Sequence, residues 1–245
     1  MKSKRSIILA VMLLLVSSTI VHAQFGSKLG IGKKSNGGPD TAQVLSQSGD
    51  FIKLVTLATD EGFLAMDELA KAFPPEKVAA FSELSKKYHE TQKNRKDGNV
   101  DADGIQTASA AYAEFAKLDN DWKSYKKDGA KNVTKADQRL AYMLLVDGLA
   151  GIQLPPLSQS IQSTIQSVGS DPTQIGKLNQ LKAYAQLFVV VGKETPKQIS
   201  SARTVRGIAK QIATAEKMTL APDPSPDSVK DLASAQSKAT NLGGE

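Results

Sequence analysis

Residues 97–104 form the best candidate metal motif in the chain, because side-chain oxygens recur there at alternate positions. Asn99, Asp101 and Asp103 precede a glycine, as the ligands of calcium loops do. Counted from Asn99, however, the twelfth position is Ala110 instead of the bidentate glutamate that completes such a loop. A turn that caps a following helix explains the same residues. The three side chains are therefore a weak calcium candidate, and we predict no metal or other cofactor.

Asp147 is a candidate acid or base because it lies inside the most apolar run that follows the N-terminal segment. A carboxylate among apolar residues has to be paired, hydrogen-bonded or protonated. One interpretation makes Asp147 a ligand contact, or the general acid or base of a helical hydrolase. The other places it on the one polar strip of a helix, in line with neighbours on the Tyr142 side or with a basic partner. We favour the second, since structural ion pairs also hold buried carboxylates.

Few other residues could support catalysis. The chain has no cysteine, and His89 is the one histidine after residue 23. Zinc, copper, haem and thiol sites therefore lack their usual ligand sets. A Ser-His-Asp site would have to use His89, which lies among Lys86, Lys87 and Glu90 on a polar stretch. We predict that the protein is not an enzyme.

A strip of four basic residues is the candidate binding surface. At 100° per residue, Arg203, Arg206, Lys210 and Lys217 fall within about 60° of one another on a helix. The strip lies opposite an apolar face, so it suits anionic lipid headgroups or an anionic polysaccharide. A solvated outer face of a bundle gives the same pattern, and we favour that interpretation.

The N-terminal segment predicts export. Lys2, Lys4 and Arg5 precede an apolar stretch at residues 7–16, and small residues lead to a cleavage site after Ala23. This is the pattern of a cleaved secretory signal peptide. An exported chain without cysteines folds without disulfides, which favours a bacterial periplasm or the secreted space. We therefore predict a periplasmic or secreted protein.

Charge and hydropathy after residue 23 argue against a nucleic-acid partner and against a transmembrane segment. Export removes three of the 31 basic residues and none of the 25 acidic ones, which leaves a net charge of +3. That charge is far below the concentrated field of a dedicated nucleic-acid binder. Asp147 and Gln153 interrupt the best run that approaches the roughly 18 apolar residues needed to span a bilayer. We predict no nucleic-acid partner and no transmembrane segment after signal cleavage.

Apolar residues recur at spacings of three and four over most of the chain, and no segment alternates as strands do. The sequence predicts an all-α fold, an elongated antiparallel bundle of about six main helices with a weak C-terminal helix. The predicted helices cover 41–73 with Asp40 as the cap, 75–98, 103–127, 135–156 with Thr134 as the cap, a shorter piece at 157–169, 172–192 after Ser170, 195–220, and 228–242.

Four segments follow from this pattern: a signal peptide at 1–23, a flexible Gly/Ser/Lys leader at 24–39, the bundle at 40–220, and a Pro-rich linker with a short helix at 221–245. We expect the last helix to pack loosely or to detach. The function that remains is binding, as an envelope adaptor or scaffold with a protein partner. A surface binder of anionic lipid or polysaccharide is one alternative, and a helical hydrolase that uses Asp147 is another.

Overall fold

The computed structural model describes residues 40–95, 97–169 and 174–243. These residues form six packed α-helices and no strand, which confirms the all-α class. The helices are α1 Thr41–Ala70, α2 Ala79–Lys93, α3 Ala102–Ala116, α4 Val133–Val168, α5 Ile175–Ala215 and α6 Leu232–Gly243. The predicted signal peptide, the leader and the helix start at Ser170-Asp171-Pro172 lie outside the described residues.

α1 begins where its capping residue predicts. The Asp40 carboxylate accepts a hydrogen bond from the backbone N–H of Ala42 at 2.9 Å, which satisfies one of the free donors of the first turn. The helix then continues for 30 residues through Gly49 and Gly62. The predicted cap of the first helix is therefore confirmed, and a long helix provides one wall of the core.

α4 has most of its contacts with α1 and α5. Thr134 does not cap it, because the helix begins at Val133 and the preceding Asn132 makes no side-chain cap. The helix also continues through Pro155 and Pro156, so the predicted end at residue 156 is wrong. Two internal prolines cost a helix several kcal/mol. The side chains of Leu157, Ile161 and Thr164, which follow the prolines, are buried. This burial outweighs the cost of the prolines.

α5 unites two predicted helices. It runs for 41 residues with Pro196 inside it, so the predicted helix start at Thr195 is wrong. Buried residues lie on both sides of the proline, including Val191 and Ala202. α3 is shorter than predicted, because the chain after Ala116 forms 3₁₀ turns.

The C-terminal helix is docked. α6 packs against α1 and α4, Ala235 is fully buried, and the Tyr142 hydroxyl donates to the Ala235 carbonyl at 2.5 Å. The linker before it is anchored where Arg206 pairs with Asp223. The expectation that this helix detaches is therefore not met in the structure.

The stretch Lys127–Val168 is long and apolar enough, by length and composition, to cross a membrane. An 18-residue window within it has a mean hydropathy of 1.4, and 50% of that window is buried among the other helices. α4, which forms most of this stretch, also carries Asp137 and Arg139, which are both buried in ion pairs with other helices. These contacts are those of the core helix of a packed bundle.

Candidate functional site

Asp147 is buried in the core without an ionic partner. Its side chain is almost fully shielded from solvent, and Oδ2 has no hydrogen-bond partner. Burial raises the pKa of this carboxyl to about 7, because the charged form has lost its water. None of the ion pairs among the described residues includes Asp147, so the structure shows no basic partner for this carboxyl.

The surroundings of Asp147 do not open to a ligand. Asp147 lines none of four surface grooves, which measure 690, 480, 440 and 320 Å³. Burial raises the pKa of Tyr112, and the nearby Asp147 adds to that rise. The Tyr112 hydroxyl donates to the Thr59 carbonyl at 3.2 Å. A general acid must reach the proton that it transfers. The hydrolase alternative requires a raised pKa, which Asp147 has. It also requires access to a substrate, which the closed packing around Asp147 does not give.

The predicted basic strip is broken by an ion-pair cluster. Arg206 is only 12% exposed, and its Nε donates to Asp137 Oδ1 at 2.9 Å. Its Nη1 donates to Asp223 Oδ2 at 3.2 Å, and the guanidinium lowers the pKa of Asp223. Lys217 follows the end of α5 in the left-handed backbone region at φ 56°, so it does not share the helix face. Arg203 and Lys210 remain exposed on α5.

The loop at residues 97–104 caps α3. Asp101 Oδ1 accepts from the Gly104 N–H at 2.7 Å and from Arg95 Nη2 at 2.7 Å. The guanidinium therefore lies against the carboxylate that a calcium ion would need. Over residues 40–95, 97–169 and 174–243, no three acidic, histidine or cysteine side chains are placed to hold a metal. This geometry favours the capping interpretation of Asn99, Asp101 and Asp103 over the calcium interpretation.

A groove between the C-terminal half of α1 and α2 combines acidic, basic, hydroxyl and apolar side chains. This α1–α2 groove has a volume of 690 Å³. Apolar side chains form its wall, and three lysines and one histidine surround that wall. The apolar residues are Phe73, Pro75, Val78 and Phe81, and the basic ones are Lys71, Lys86, His89 and Lys126.

Asp67 occupies the polar end of the α1–α2 groove. Its Oδ1 accepts from the Ser85 hydroxyl at 2.8 Å, and its Oδ2 lies 2.9 Å from His89 Nε2. The carboxylate thus stands between the serine and the histidine. In a Ser-His-Asp triad the histidine occupies that middle position and takes the proton from serine. The arrangement fixes the His89 ring in place and does not activate Ser85.

Ring contacts and a polar network hold the α1–α2 groove in shape. Phe63 stacks on Tyr88 with ring centroids 4.0 Å apart, and it also contacts His89. The Tyr88 hydroxyl donates to Asp60 at 2.5 Å, and Gln92 donates to the same carboxylate at 3.1 Å. Burial raises the pKa of Asp60, and it also contributes most to the raised pKa of Tyr88. These contacts fasten α2 to α1.

Comparison with models of protein families, with curated proteins and with solved structures finds no match for this chain. The function of the α1–α2 groove therefore has to be argued from its geometry and charge. Its residues come from three separate parts of the chain, and it combines cations with an apolar wall. That combination suits binding, since apolar contacts supply affinity and charges supply specificity and steering.

Sequence reasoning did not find the α1–α2 groove. Lys86 and His89 have the spacing of one helix face, which is the single local indication. Lys126 comes to the groove because its backbone N–H donates to the Ala72 carbonyl at 2.6 Å. No local pattern predicts a contact between residues that far apart in the chain. Lys71 lies in a predicted helix, and no sequence pattern marks it as a binding residue.

Proposed function

We propose that the protein is an exported cell-envelope protein that acts by binding, without enzymatic activity, as an adaptor or scaffold. We further propose that an acidic segment of a protein partner docks in the α1–α2 groove. The observation that supports this proposal is the set of basic side chains around the apolar wall of that groove.

The lysines of the groove are free to change partners. Lys71 pairs with Glu68 at 2.8 Å and is 57% exposed, and Lys86 lies 3.9 Å from Glu90 with both side chains exposed. Exposed pairs of this kind contribute about 0–1 kcal/mol each, so a partner carboxylate can replace them at little cost. Lys126 is exposed and forms no ion pair with the described residues. Asp67 is engaged by Ser85 and His89, which reduces its repulsion of an acidic ligand.

The apolar wall explains why a peptide suits this groove better than a free anion. Pro75 is exposed at the edge of the groove, and Phe73, Val78 and Phe81 form its floor, where only 3%, 6% and 2% of their surfaces are exposed. A segment that alternates acidic and apolar side chains would meet both surfaces. Binding of this kind weakens as salt rises, because exposed charges are screened within about 10 Å at 0.1 M.

Charge reversal distinguishes this proposal from the alternatives. We would compare K71E/K86E/K126E with R203E/K210E, a control that reverses two charges on the exposed face of α5. The assay is crosslinking capture of the tagged mature chain from intact cells. The proposal predicts one reproducible protein partner that the groove variant loses and the control keeps. The loss of three exposed ion pairs between these lysines and the partner corresponds to roughly threefold to a hundredfold weaker binding.

Two outcomes would contradict the proposal. If the α5 control loses its captured material while the groove variant keeps it, and that material is lipid or polysaccharide, the surface-binding alternative is favoured. If the same protein is captured by both variants in equal amounts, the α1–α2 groove is not the docking site.

A further inference from the structure

His89 lines the α1–α2 groove and is the one histidine among the described residues. Its side chain is 39% exposed, so the ring exchanges protons with solvent. Histidine is the side chain whose charge ordinarily changes between pH 5 and pH 8. The groove therefore carries a group that can change its charge near neutral pH.

The contact between His89 and Asp67 fixes which ring nitrogen takes the additional proton. His89 Nε2 lies 2.9 Å from Asp67 Oδ2. An ionised carboxylate only accepts hydrogen bonds, so Nε2 carries the hydrogen of the neutral ring and donates it. Nδ1 then binds the further proton, and it has no hydrogen-bond partner in the described part of the chain. Protonation keeps the Nε2 bond and makes it a charge-assisted one.

The ring is held in this position from both helices. Its centroid lies 5.8 Å from that of Phe63 on α1 and 5.7 Å from that of Tyr88 on α2. The Ser85 hydroxyl donates to the second oxygen of Asp67 at 2.8 Å, so both oxygens of that carboxylate are engaged. His89 can therefore gain a charge without a rearrangement of α1 or α2.

Protonation of His89 changes the net charge of the groove lining. Lys71, Lys86 and Lys126 contribute three positive charges to the lining, and Asp67 contributes one negative charge. Ordinary lysine and aspartate side chains keep their charges between pH 5 and pH 8. The net charge of the lining is therefore +2 with a neutral ring and +3 with a protonated one.

Three further carboxylates lie near the groove, namely Asp60 and Glu68 on α1 and Glu90 on α2. Burial raises the pKa of Asp60, and the attraction of His89 is one of the contributions that oppose this rise. Glu68 and Glu90 pair with lysines of the groove and do not line it. All three carboxylates are present whether or not the ring is protonated, so a ligand in the groove meets one additional positive charge.

We propose that His89 is a pH sensor of the α1–α2 groove, and that its protonation tightens the binding of an acidic partner segment as pH falls from about 8 to about 5.5. This inference rests on the proposed docking function of the groove. One additional exposed ion pair corresponds to about two- to fivefold tighter binding. By reciprocity, a bound acidic segment favours the protonated ring to the same degree.

The probe is a fluorescently labelled peptide of alternating glutamate and leucine, and its matched control has glutamine in place of each glutamate. Fluorescence anisotropy measures the binding of both peptides to the full chain at pH 5.5 and pH 8, at one ionic strength. The glutamates of the probe stay ionised at both pH values. The parent chain should bind the probe about two- to fivefold more tightly at pH 5.5, and its affinity for the control peptide should not change with pH.

Two variants of His89 isolate the contribution of the ring. H89Q keeps an N–H that can donate to Asp67 and has no charge at either pH, so its affinity for the probe should be equal at pH 5.5 and pH 8. H89K is charged at both, so it should bind the probe at pH 8 about as tightly as the parent chain does at pH 5.5. Burial raises the pKa of Asp147 to about 7, and both variants retain this residue, so its titration cancels in the comparison with the parent chain.

NMR of the parent chain gives a second measurement, because His89 is the one histidine after residue 23. The bound probe should move the titration of the ring to higher pH. If H89Q does not fold, this titration and H89K decide the question.

The outcomes separate the pH sensor from the docking function. Probe binding that K71E/K86E/K126E weakens, but that is equal at pH 5.5 and pH 8 in the parent chain, would overturn the sensor and leave the docking function standing. A pH dependence that H89Q retains, or a ring titration that the bound probe does not move, would overturn the sensor as well. No binding of the probe, or binding that the three charge reversals leave unchanged, would overturn both.

Discussion

Replacing Asp147 by asparagine should remove a loss of stability that occurs as pH rises from about 4 to about 7. Burial raises the pKa of Asp147 to about 7, about three pH units above that of an ordinary aspartate. At about 1.4 kcal/mol per pH unit, the ionised carboxylate is disfavoured in the folded chain by about 4 kcal/mol relative to the unfolded chain. D147N removes this penalty, because an amide does not ionise.

The sign of the effect follows from which state binds the proton. Below about pH 4 both the folded and the unfolded chain hold it, so Asp147 contributes no pH dependence. Between about pH 4 and pH 7 the unfolded chain has lost the proton and the folded chain keeps it, so stability falls as pH rises. Above about pH 7 the full penalty applies. Burial also raises the pKa values of Asp60 and Glu61, and Arg206 lowers that of Asp223, so the parent chain alone would mix several contributions.

The assay is urea unfolding of the parent chain and of D147N from pH 4 to pH 8.5, compared as a difference. We expect the advantage of D147N to grow by about 4 kcal/mol across this range. D50N is the matched control, because it removes one negative charge from a carboxylate that is 54% exposed and paired with Lys53. Parallel curves for D147N and the parent chain would refute the reasoning, since Asp147 would then be ionised and stabilised inside the fold.

Two further predictions concern contacts of the core. R206A should lower the free energy of unfolding by about 3–5 kcal/mol, because it leaves the buried Asp137 carboxylate without its partner. R203A, on the exposed side of the same helix, should stay within about 0.5 kcal/mol in the same urea titration, and equal effects would contradict the ion-pair cluster. G62A should cost about 1–3 kcal/mol, because a Cβ there overlaps the Tyr112 hydroxyl. Y112F removes that hydroxyl, so the double variant should lose less than the sum of the two single ones, and strict additivity would argue against the clash.

The features of the fold that the sequence predicts correctly depend on local patterns, namely helix caps and helical periodicity. Asp40 caps α1 because its side chain bonds within its own turn, and Asp101 caps α3 in the same way, with Arg95 added from nearby. Helix periodicity identified the all-α class, because burial of one face repeats with the helical turn. These features depend on residues a few positions apart.

The features that the sequence does not predict depend on contacts between residues far apart in the chain. Pro155 and Pro196 look like helix ends by local rules, and side chains packed on both sides of each proline keep the helices continuous. Arg206 was placed on an exposed strip because its partners, Asp137 and Asp223, lie 69 and 17 residues away. The α1–α2 groove escaped prediction for the same reason, since Lys126 reaches it through the chain after α3.

The central claim is that a protein partner binds in the α1–α2 groove, and site-specific photocrosslinking tests it most directly. A photoreactive residue at Ser82, which is exposed in that groove, would be compared with one at Ser200, which is exposed on α5. We predict a protein adduct in intact cells from position 82 and not from position 200, and its loss when K71E/K86E/K126E is combined with the probe at 82. An adduct that forms equally from both positions, or that survives the three charge reversals, would contradict the account.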